Sequence, residues 1–141
     1  MNVLPYAHET LFFQNQAGKL FYRPAGYVHL AWAAERQTLE AIQVFYEQVL
    51  ALLQSSGVRR ILSCHGQRAP LPMAAQEWLT SNWIPRAMSE AGTRHCAIVE
   101  GADPMHRLST QSVVSTAPVG FQFKRFDDFA AADAWLRGLA L

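Results

Sequence analysis

The stretch of residues 76–92 predicts a helix between two buried strands, and this order of elements constrains the fold more than any other feature. It carries Trp78 and Trp83, whose aromatic area is too large to leave in water. Residues 59–64 before it and residues 94–100 after it contain short apolar runs typical of buried strands. An alternation of strand and helix is typical of α/β proteins, so a sheet is expected to cover the two tryptophans.

Proline and glycine set the limits of this central helix. Pro85 cannot donate to the helical hydrogen-bond ladder, which predicts a kink or a new start near Asn82. Pro72 can occupy the first turn, where a missing N–H group costs nothing. Gly92 is expected to end the helix before the next strand begins.

Residues 37–56 form the longest predicted helix. Its apolar residues recur at spacings of three and four and draw one stripe along it. The members of the stripe are Leu39, Ile42, Tyr46, Val49 and Leu53. Thr38 or Gln37 is expected to cap the first turn, and Gly57 stands where a left-handed residue commonly ends a helix.

Three short strands are predicted before this helix, at residues 11–15, 20–23 and 27–32. In the third, Tyr27, His29 and Ala31 alternate with Val28, Leu30 and Trp32. The turns between the strands are short, which indicates an antiparallel meander.

The C-terminal part predicts further short elements. Asp103 followed by Pro104 is expected to start one short helix, and Ser109 to cap another that runs through Val114. Residues 121–126 alternate apolar and polar side chains, as in an edge strand with one wet face. Asp127 is expected to cap the last helix. The predicted fold is a single α/β domain over residues 1–141, with a mixed sheet that is antiparallel in its N-terminal half, parallel in its C-terminal half, and covered by helices.

Composition narrows the function classes. Half of the 141 residues are hydrophobic and 16% are charged, as in a compact globular domain. The net charge is +1 without a basic stripe, which argues against nucleic-acid binding. No window is long and apolar enough to span a membrane, and the N-terminal residues 1–6 lack the pattern of a signal peptide, so we expect a cytoplasmic protein.

Several segments resemble the bacterial STAS-like (SpoIIAA-like) proteins. These are Gln76-Glu77-Trp78-Leu79, Trp83-Ile84-Pro85-Arg86-Ala87, Gly92 with Ala97-Ile98-Val99, Phe126-Asp127-Asp128-Phe129 and Ala134-Trp135-Leu136. The resemblance extends from about Gly26 to Leu139 and implies a STAS-type α/β fold. Its better-known members are the anti-sigma-factor antagonists, which are non-enzymatic regulators that bind a protein kinase.

The chain departs from that family in two places. Anti-sigma-factor antagonists carry a phosphorylatable Ser or Thr at the start of the helix that follows the strand ending here at Cys64. From Cys64 to Leu79 this chain has no Ser, Thr or Tyr, so a phosphoserine switch cannot be carried over. STAS-like relatives are also expected to show an Asp-Asn-Arg run after that strand, where this chain has Cys64-His65-Gly66.

Polar side chains follow two predicted parallel strands, and ligands favour the carboxyl ends of such strands. If the strands are neighbours, one rim could hold Cys64, His65, Arg68, Asp103 and His106. A Cys–His pair there could form a nucleophile, because the imidazole helps to form the thiolate. The alternative is a buried cysteine with two solvated loop histidines.

The remaining candidates have structural alternatives as well. The five histidines, His8, His29, His65, His95 and His106, show no paired spacing of the zinc type, so no metal site is predicted. Arg86 could bind an anion near a helix start, or pair with Glu90 one turn on. Trp78 and Trp83 could line a ligand pocket, although core packing is the more frequent role.

The sequence therefore predicts a STAS-like regulatory or protein-interaction module without catalysis or a cofactor. A protein partner or a homodimer is expected, with no nucleic acid and no membrane span. The alternative is a carrier of a small molecule or lipid, with an apolar pocket between the sheet and the helix that carries Trp78 and Trp83. Seven residues are candidates for contact with a ligand or partner: Cys64, His65, Arg68, Trp78, Trp83, Arg86 and His106.

Overall fold

A computed structural model describes residues 9–139 and contains one six-stranded sheet with the strands in chain order. The strands are β1 Thr10–Asn15, β2 Gly18–Arg23, β3 Tyr27–Trp32, β4 Arg60–Cys64, β5 His95–Val99 and β6 Gln122–Phe126. The first three pair antiparallel, and β3 to β6 pair parallel. The predicted α/β class, the N-terminal meander and the mixed sheet are confirmed.

Helices connect the parallel strands and cover both faces of the sheet. They are α1 Leu39–Ser56, α2 Met73–Trp78, α3 Ile84–Ala91, α4 Pro104–Thr116 and α5 Phe129–Arg137. When parallel strands are added to a sheet in chain order and every crossover is right-handed, the connecting helices all lie on one face. Accordingly α1, α2, α3 and α4 pack on one side, here called the multi-helix face, while α5 follows the last strand and packs on the other, the α5 face.

The period of two along each strand sorts its side chains between these faces. In β4, Ile61 belongs to the core of the multi-helix face, whereas Leu62 and Cys64 pack with α5. In β3, Val28 and Leu30 face the same way as Ile61. The alternation predicted for β3 is therefore present, and it determines which polar side chains can meet on each face.

Pro85 is accommodated without a sharp break. A π-helical turn, Leu79–Trp83, joins α2 to α3, and the N–H of Ile84 bonds to the carbonyl of Leu79 five residues earlier. The wider turn removes the need for a proline N–H. The predicted interruption near Asn82 is therefore a π-helical turn inside a continuous helix, and not a fresh start. Gly92 ends α3 with a φ of 69° in the left-handed region, as expected.

Two helix predictions are wrong. The segment from Asp103 forms one continuous helix, α4, rather than two short ones, and Ser109 lies inside it. Its Ser- and Thr-rich composition disfavours a helix, but packing against α2 and the π-helical turn overrides that propensity. At the last helix, Asp128 instead of Asp127 is the cap and accepts a hydrogen bond from the N–H of Ala131.

The remaining predictions concern the N-terminal residues and the edges of the sheet. The N-terminal residues 1–6 and His8 lie outside the described residues. Strand β6 lies at one edge of the sheet, as predicted, and β1 lies at the other. Within residues 9–139, none of the helices combines the length and the apolar character that a membrane crossing requires.

Candidate functional site

A cavity of about 50 Å³, the volume open to the centre of a water molecule, lies between the multi-helix face and the helices above it. One water needs at least about 10–15 Å³ by that measure, so the space exceeds an ordinary packing defect. Its wall is mainly aliphatic and aromatic, with Ile61, Leu79, Trp83, Ile98 and Val113 among the lining residues. Polar side chains reach it as well: Tyr46, Ser63, His65, Arg68 and Thr110.

The loops after β4 and β5 meet beside this cavity. The N–H of Ala102 donates to the carbonyl of Gly66 at 2.9 Å. Gly101 permits this approach, because a Cβ there would lie 3.0 Å from that carbonyl oxygen and 3.2 Å from the Cβ of His65. The rings of His65 and His106 consequently lie edge to face, with centroids 4.6 Å apart.

Arg68 is the most unusual side chain of the cavity. It is only 4% exposed, and its guanidinium carbon lies 3.6 Å from the centroid of the Trp32 ring. The indole N–H of Trp32 donates to the hydroxyl of Ser63 at 2.8 Å, which fixes the ring beneath the guanidinium. Burial lowers the pKa of Arg68 to about 10, and burial raises the pKa of the neighbouring Tyr46 to about 12. At neutral pH a cationic guanidinium therefore faces a neutral phenol.

Nothing in residues 9–139 neutralises this charge. No carboxylate forms an ion pair with Arg68, and its Nη2 atom is buried without a hydrogen-bond partner. Stacking on Trp32 contributes up to about 2 kcal/mol when the pair is desolvated. An unpaired buried charge costs several kcal/mol, so stacking alone does not offset the burial.

Other buried polar atoms around the cavity also have no partner. Nδ1 of His65, both ring nitrogens of His106 and the hydroxyl of Thr110 make no hydrogen bond. Buried polar groups are normally paired, and each lone group costs roughly 1–3 kcal/mol. A cluster of four such side chains, including Arg68, is typical of a site that presents its polar groups to a ligand.

The two histidines are neutral at pH 7. Burial and the nearby Arg68 lower the pKa of His65 well below its usual range. The same two causes lower the pKa of His106 to about 4. His65 is 5% exposed and His106 is fully buried, so the expectation of two solvated loop histidines is wrong.

Cys64 lies on the opposite face. It packs with α5, next to side chains such as Leu62 and Ala97, because consecutive residues of a strand point to opposite sides. Burial and the charge of Glu9 raise the pKa of its thiol to about 12. The rim predicted to hold Cys64 together with His65 and His106 therefore forms without it, and the neutral thiol has no imidazole of that pair to activate it.

Asp103 also serves a local purpose. Its carboxylate caps α4 by accepting hydrogen bonds from the N–H groups of Met105 and His106. Within the part of the chain that the structure describes, no three His, Cys, Asp or Glu side chains come close enough to hold a metal ion.

The two tryptophans of the central helix have different surroundings. Trp83 is 2% exposed, lines the cavity and donates its indole N–H to the carbonyl of Tyr46 at 2.7 Å. Trp78 is half-buried and packs its ring 6.1 Å from that of Tyr46, over a shallow surface groove. Trp83 thus combines core packing with a position in the cavity wall, while Trp78 lies outside it.

Arg86 is a surface residue paired across two helices. Its guanidinium donates to both carboxylate oxygens of Glu47 on α1, at 2.7 and 2.8 Å, and lies 3.5 Å from Glu90. The bidentate contact lowers the pKa of Glu47 and raises that of Arg86. The predicted pair with Glu90 is present, but Glu47 is the closer partner and occupies the fork that an anion would need.

Sequence reasoning missed Ser63, Thr110 and Val113 of the cavity wall, and Trp32, on whose ring Arg68 stacks. A continuous α4 would have revealed two of them, since His106, Thr110 and Val113 are separated by four and three residues and share one helix face. Trp32 carried a signal in its position at the end of β3, beside the ends of the other parallel strands.

The chain matches no protein-family model, no curated protein and no solved structure.

Proposed function

We propose that this protein binds a small organic molecule in the cavity between the multi-helix face of the sheet and the helices α3 and α4. The observation that carries the proposal is the cluster of buried, unpartnered polar groups in an otherwise apolar cavity. A purely structural core would be expected to pair these groups or to replace them with apolar ones, because each lone group costs free energy.

The position of the cavity supports the same proposal. Side chains from the ends of β3 and β4 and from the loop after β4 reach it, and open α/β sheets favour ligands beyond the carboxyl ends of their strands. The separation of Cys64 from His65 and His106 favours binding over catalysis. We keep a cytoplasmic location as part of the proposal.

A regulatory protein-interaction module of STAS type, acting without catalysis, is our second candidate. One observation favours it: β1 is an edge strand, and its Leu11 and Phe12 are 48% and 45% exposed. Exposed apolar side chains beside unpaired backbone groups favour pairing with another chain, either a second copy or a protein partner.

Native mass spectrometry of protein purified gently from its own host tests both candidates. We expect a reproducible extra mass of small-molecule size on the wild-type chain. Val113→Phe places a ring in the cavity and should remove that mass, whereas the matched Val119→Phe change, at a fully exposed position, should retain it. Circular dichroism of both variants checks that each is folded.

The other outcomes decide between the candidates. A bare single-chain mass for all three proteins would reject the small-molecule proposal. Two chains, or one chain with a protein partner, and no small adduct would favour the interaction module instead. An adduct that survives Val113→Phe would place the ligand outside this cavity.

A further inference from the structure

The charge balance of the cavity points to the chemistry of its ligand. Three arginines are buried among residues 9–139: Arg23, Arg60 and Arg68. Arg23 lies 3.8 Å from the carboxylate of Glu9, and Arg60 donates to the carbonyls of Leu136 and Leu139. Arg68 has neither kind of partner, and it is the one that lines the cavity.

Arg107 and Arg125, which line a separate surface pocket, each have a carboxylate partner. Glu100 pairs with both Arg107 and Arg125, and Arg125 also donates to Gln111 and to the carbonyl of Arg107. These two guanidinium groups therefore share the carboxylate of Glu100. Arg68, by contrast, is a buried arginine with no carboxylate partner among the described residues.

We propose that the ligand is the carboxylate of a small organic acid, bound by the free Nη2 of Arg68 with its apolar body against the cavity wall. This inference rests on the proposed function and names the ligand class for the same cavity. A guanidinium is planar and offers parallel donors at the spacing of two carboxylate oxygens. Nδ1 of His65 and the hydroxyl of Thr110 can donate to the same group.

Size and charge exclude the main alternatives. A phosphate carries close to two negative charges and would need more positive charge than Arg68 alone supplies, because both histidines are neutral. A long acyl chain exceeds a cavity of about 50 Å³. An acid of a few carbons, or one with a single ring, fits the charge, and its apolar part matches Ile61, Ile98 and Val113.

Titration of the full chain with matched acids and amides tests the inference. The probes are butyrate and benzoate, their neutral counterparts butyramide and benzamide, and inorganic phosphate. The indole N–H resonances report the site by NMR: Trp83 lines the cavity, whereas Trp135 lies on the α5 face and serves as the internal control. We expect at least one acid to shift Trp83 without shifting Trp135.

The affinities should follow the charge. We expect each amide to bind at least about tenfold more weakly than its acid, as loss of a charge-assisted hydrogen bond implies. Arg68→Met should weaken the acid by a similar factor, and Arg68→Lys, which keeps the charge but loses the planar fork, should give an intermediate affinity. The matched Arg86→Met change, at the surface pair with Glu47, should leave the affinity unchanged.

The outcomes separate this inference from the proposed function. Acid and amide that bind equally, with no effect of Arg68→Met, would overturn the carboxylate assignment and leave small-molecule binding intact. Binding of phosphate alone, or no shift of Trp83 with either acid at millimolar concentration, would overturn it too. The proposed function is then judged separately, by the adduct mass and its loss in Val113→Phe.

Discussion

Arg60 and Arg68 are eight residues apart and almost equally buried, at 8% and 4% exposed, but they lie in opposite surroundings. Arg60, at the start of β4, donates to the last carbonyls of the α5 region, those of Leu136 at 2.7 Å and Leu139 at 2.8 Å. Helix C-terminal carbonyls lack partners of their own, so this arginine completes the α5 face. Arg68 has the neutral phenol of Tyr46 as its polar neighbour and leaves Nη2 without a hydrogen-bond partner in the cavity.

The other buried polar side chains of the two faces differ in the same way as the two arginines. On the α5 face, Tyr27 donates to Asp133 at 2.6 Å, and Glu9 contacts both His29 and Arg23. On the multi-helix face, Arg68, His65, His106 and Thr110 keep polar atoms without a hydrogen-bond partner, although the apolar core around them is larger. The difference indicates that one face is built for stability, while the other gives up some stability to keep polar groups available.

The largest expected effect comes from removing each arginine in turn. Arg60→Met should lower the free energy of unfolding by about 3 kcal/mol, because two charge-assisted hydrogen bonds are lost. Arg68→Met should change it by less than about 1 kcal/mol, because loss of the contact with Trp32 is offset by removal of a lone buried charge.

Urea unfolding at neutral pH, without added ligand, measures both free energies. Equal losses of unfolding free energy in the two variants would contradict the contrast between Arg60 and Arg68, and would show that Arg68 stabilises the fold as Arg60 does. Unchanged slopes of free energy against urea concentration would show that both variants unfold from a comparably compact state.

A second effect concerns pH. The folded pKa of His106 is about 4 against an ordinary value of 6.5, so the unfolded state binds more protons below pH 6.5. The stability that depends on a neutral His106 is therefore lost as the pH falls from about 6.5 toward 4. His106→Leu should reduce the loss of unfolding free energy between pH 7 and pH 5 by roughly 1–2 kcal/mol.

The comparison of wild type and His106→Leu across pH requires that the charged groups around residue 106 are the same in both proteins. Arg68, Glu100, Asp103 and Arg125 face this histidine and are retained in the variant. Glu9, whose pKa burial raises to about 7, works in the opposite direction on the other face and is also retained. Identical pH profiles for wild type and His106→Leu would show that this ring titrates normally, against the environment described for it.

Much of the fold could be predicted because it rests on local patterns. The stripe of the helix at residues 39–56, the alternation in residues 27–32 and the capping glycines at 57 and 92 each act over a few residues. The meeting of His65, Arg68 and His106 was also predictable, since the ends of neighbouring parallel strands share an edge. Thr110 was missed because α4 was expected to be broken near Ser109.

The burial of His106, and the face of the sheet on which Cys64 and His65 lie, were harder to predict. Residues after a strand are usually solvated, but His106 is fully buried and its ring packs against that of His65 in the loop after β4. Cys64 follows the strict alternation of β4, whereas His65 is the first residue beyond that strand, so the sequence did not show that they separate. The burial of His106 depends on contacts between distant parts of the chain, which no local pattern records.

The smallest effect compares two adjacent hydroxyls on α4. Thr110 has no partner, so Thr110→Val keeps the shape and should raise the free energy of unfolding by roughly 1 kcal/mol. Ser109 donates to the carbonyl of His106 at 2.8 Å and accepts from the N–H of Leu71 at 3.3 Å. Ser109→Ala should therefore lower that free energy by about 1 kcal/mol. Urea unfolding of the two variants decides the sign, and a loss in both would mean that Thr110 stabilises the protein as Ser109 does.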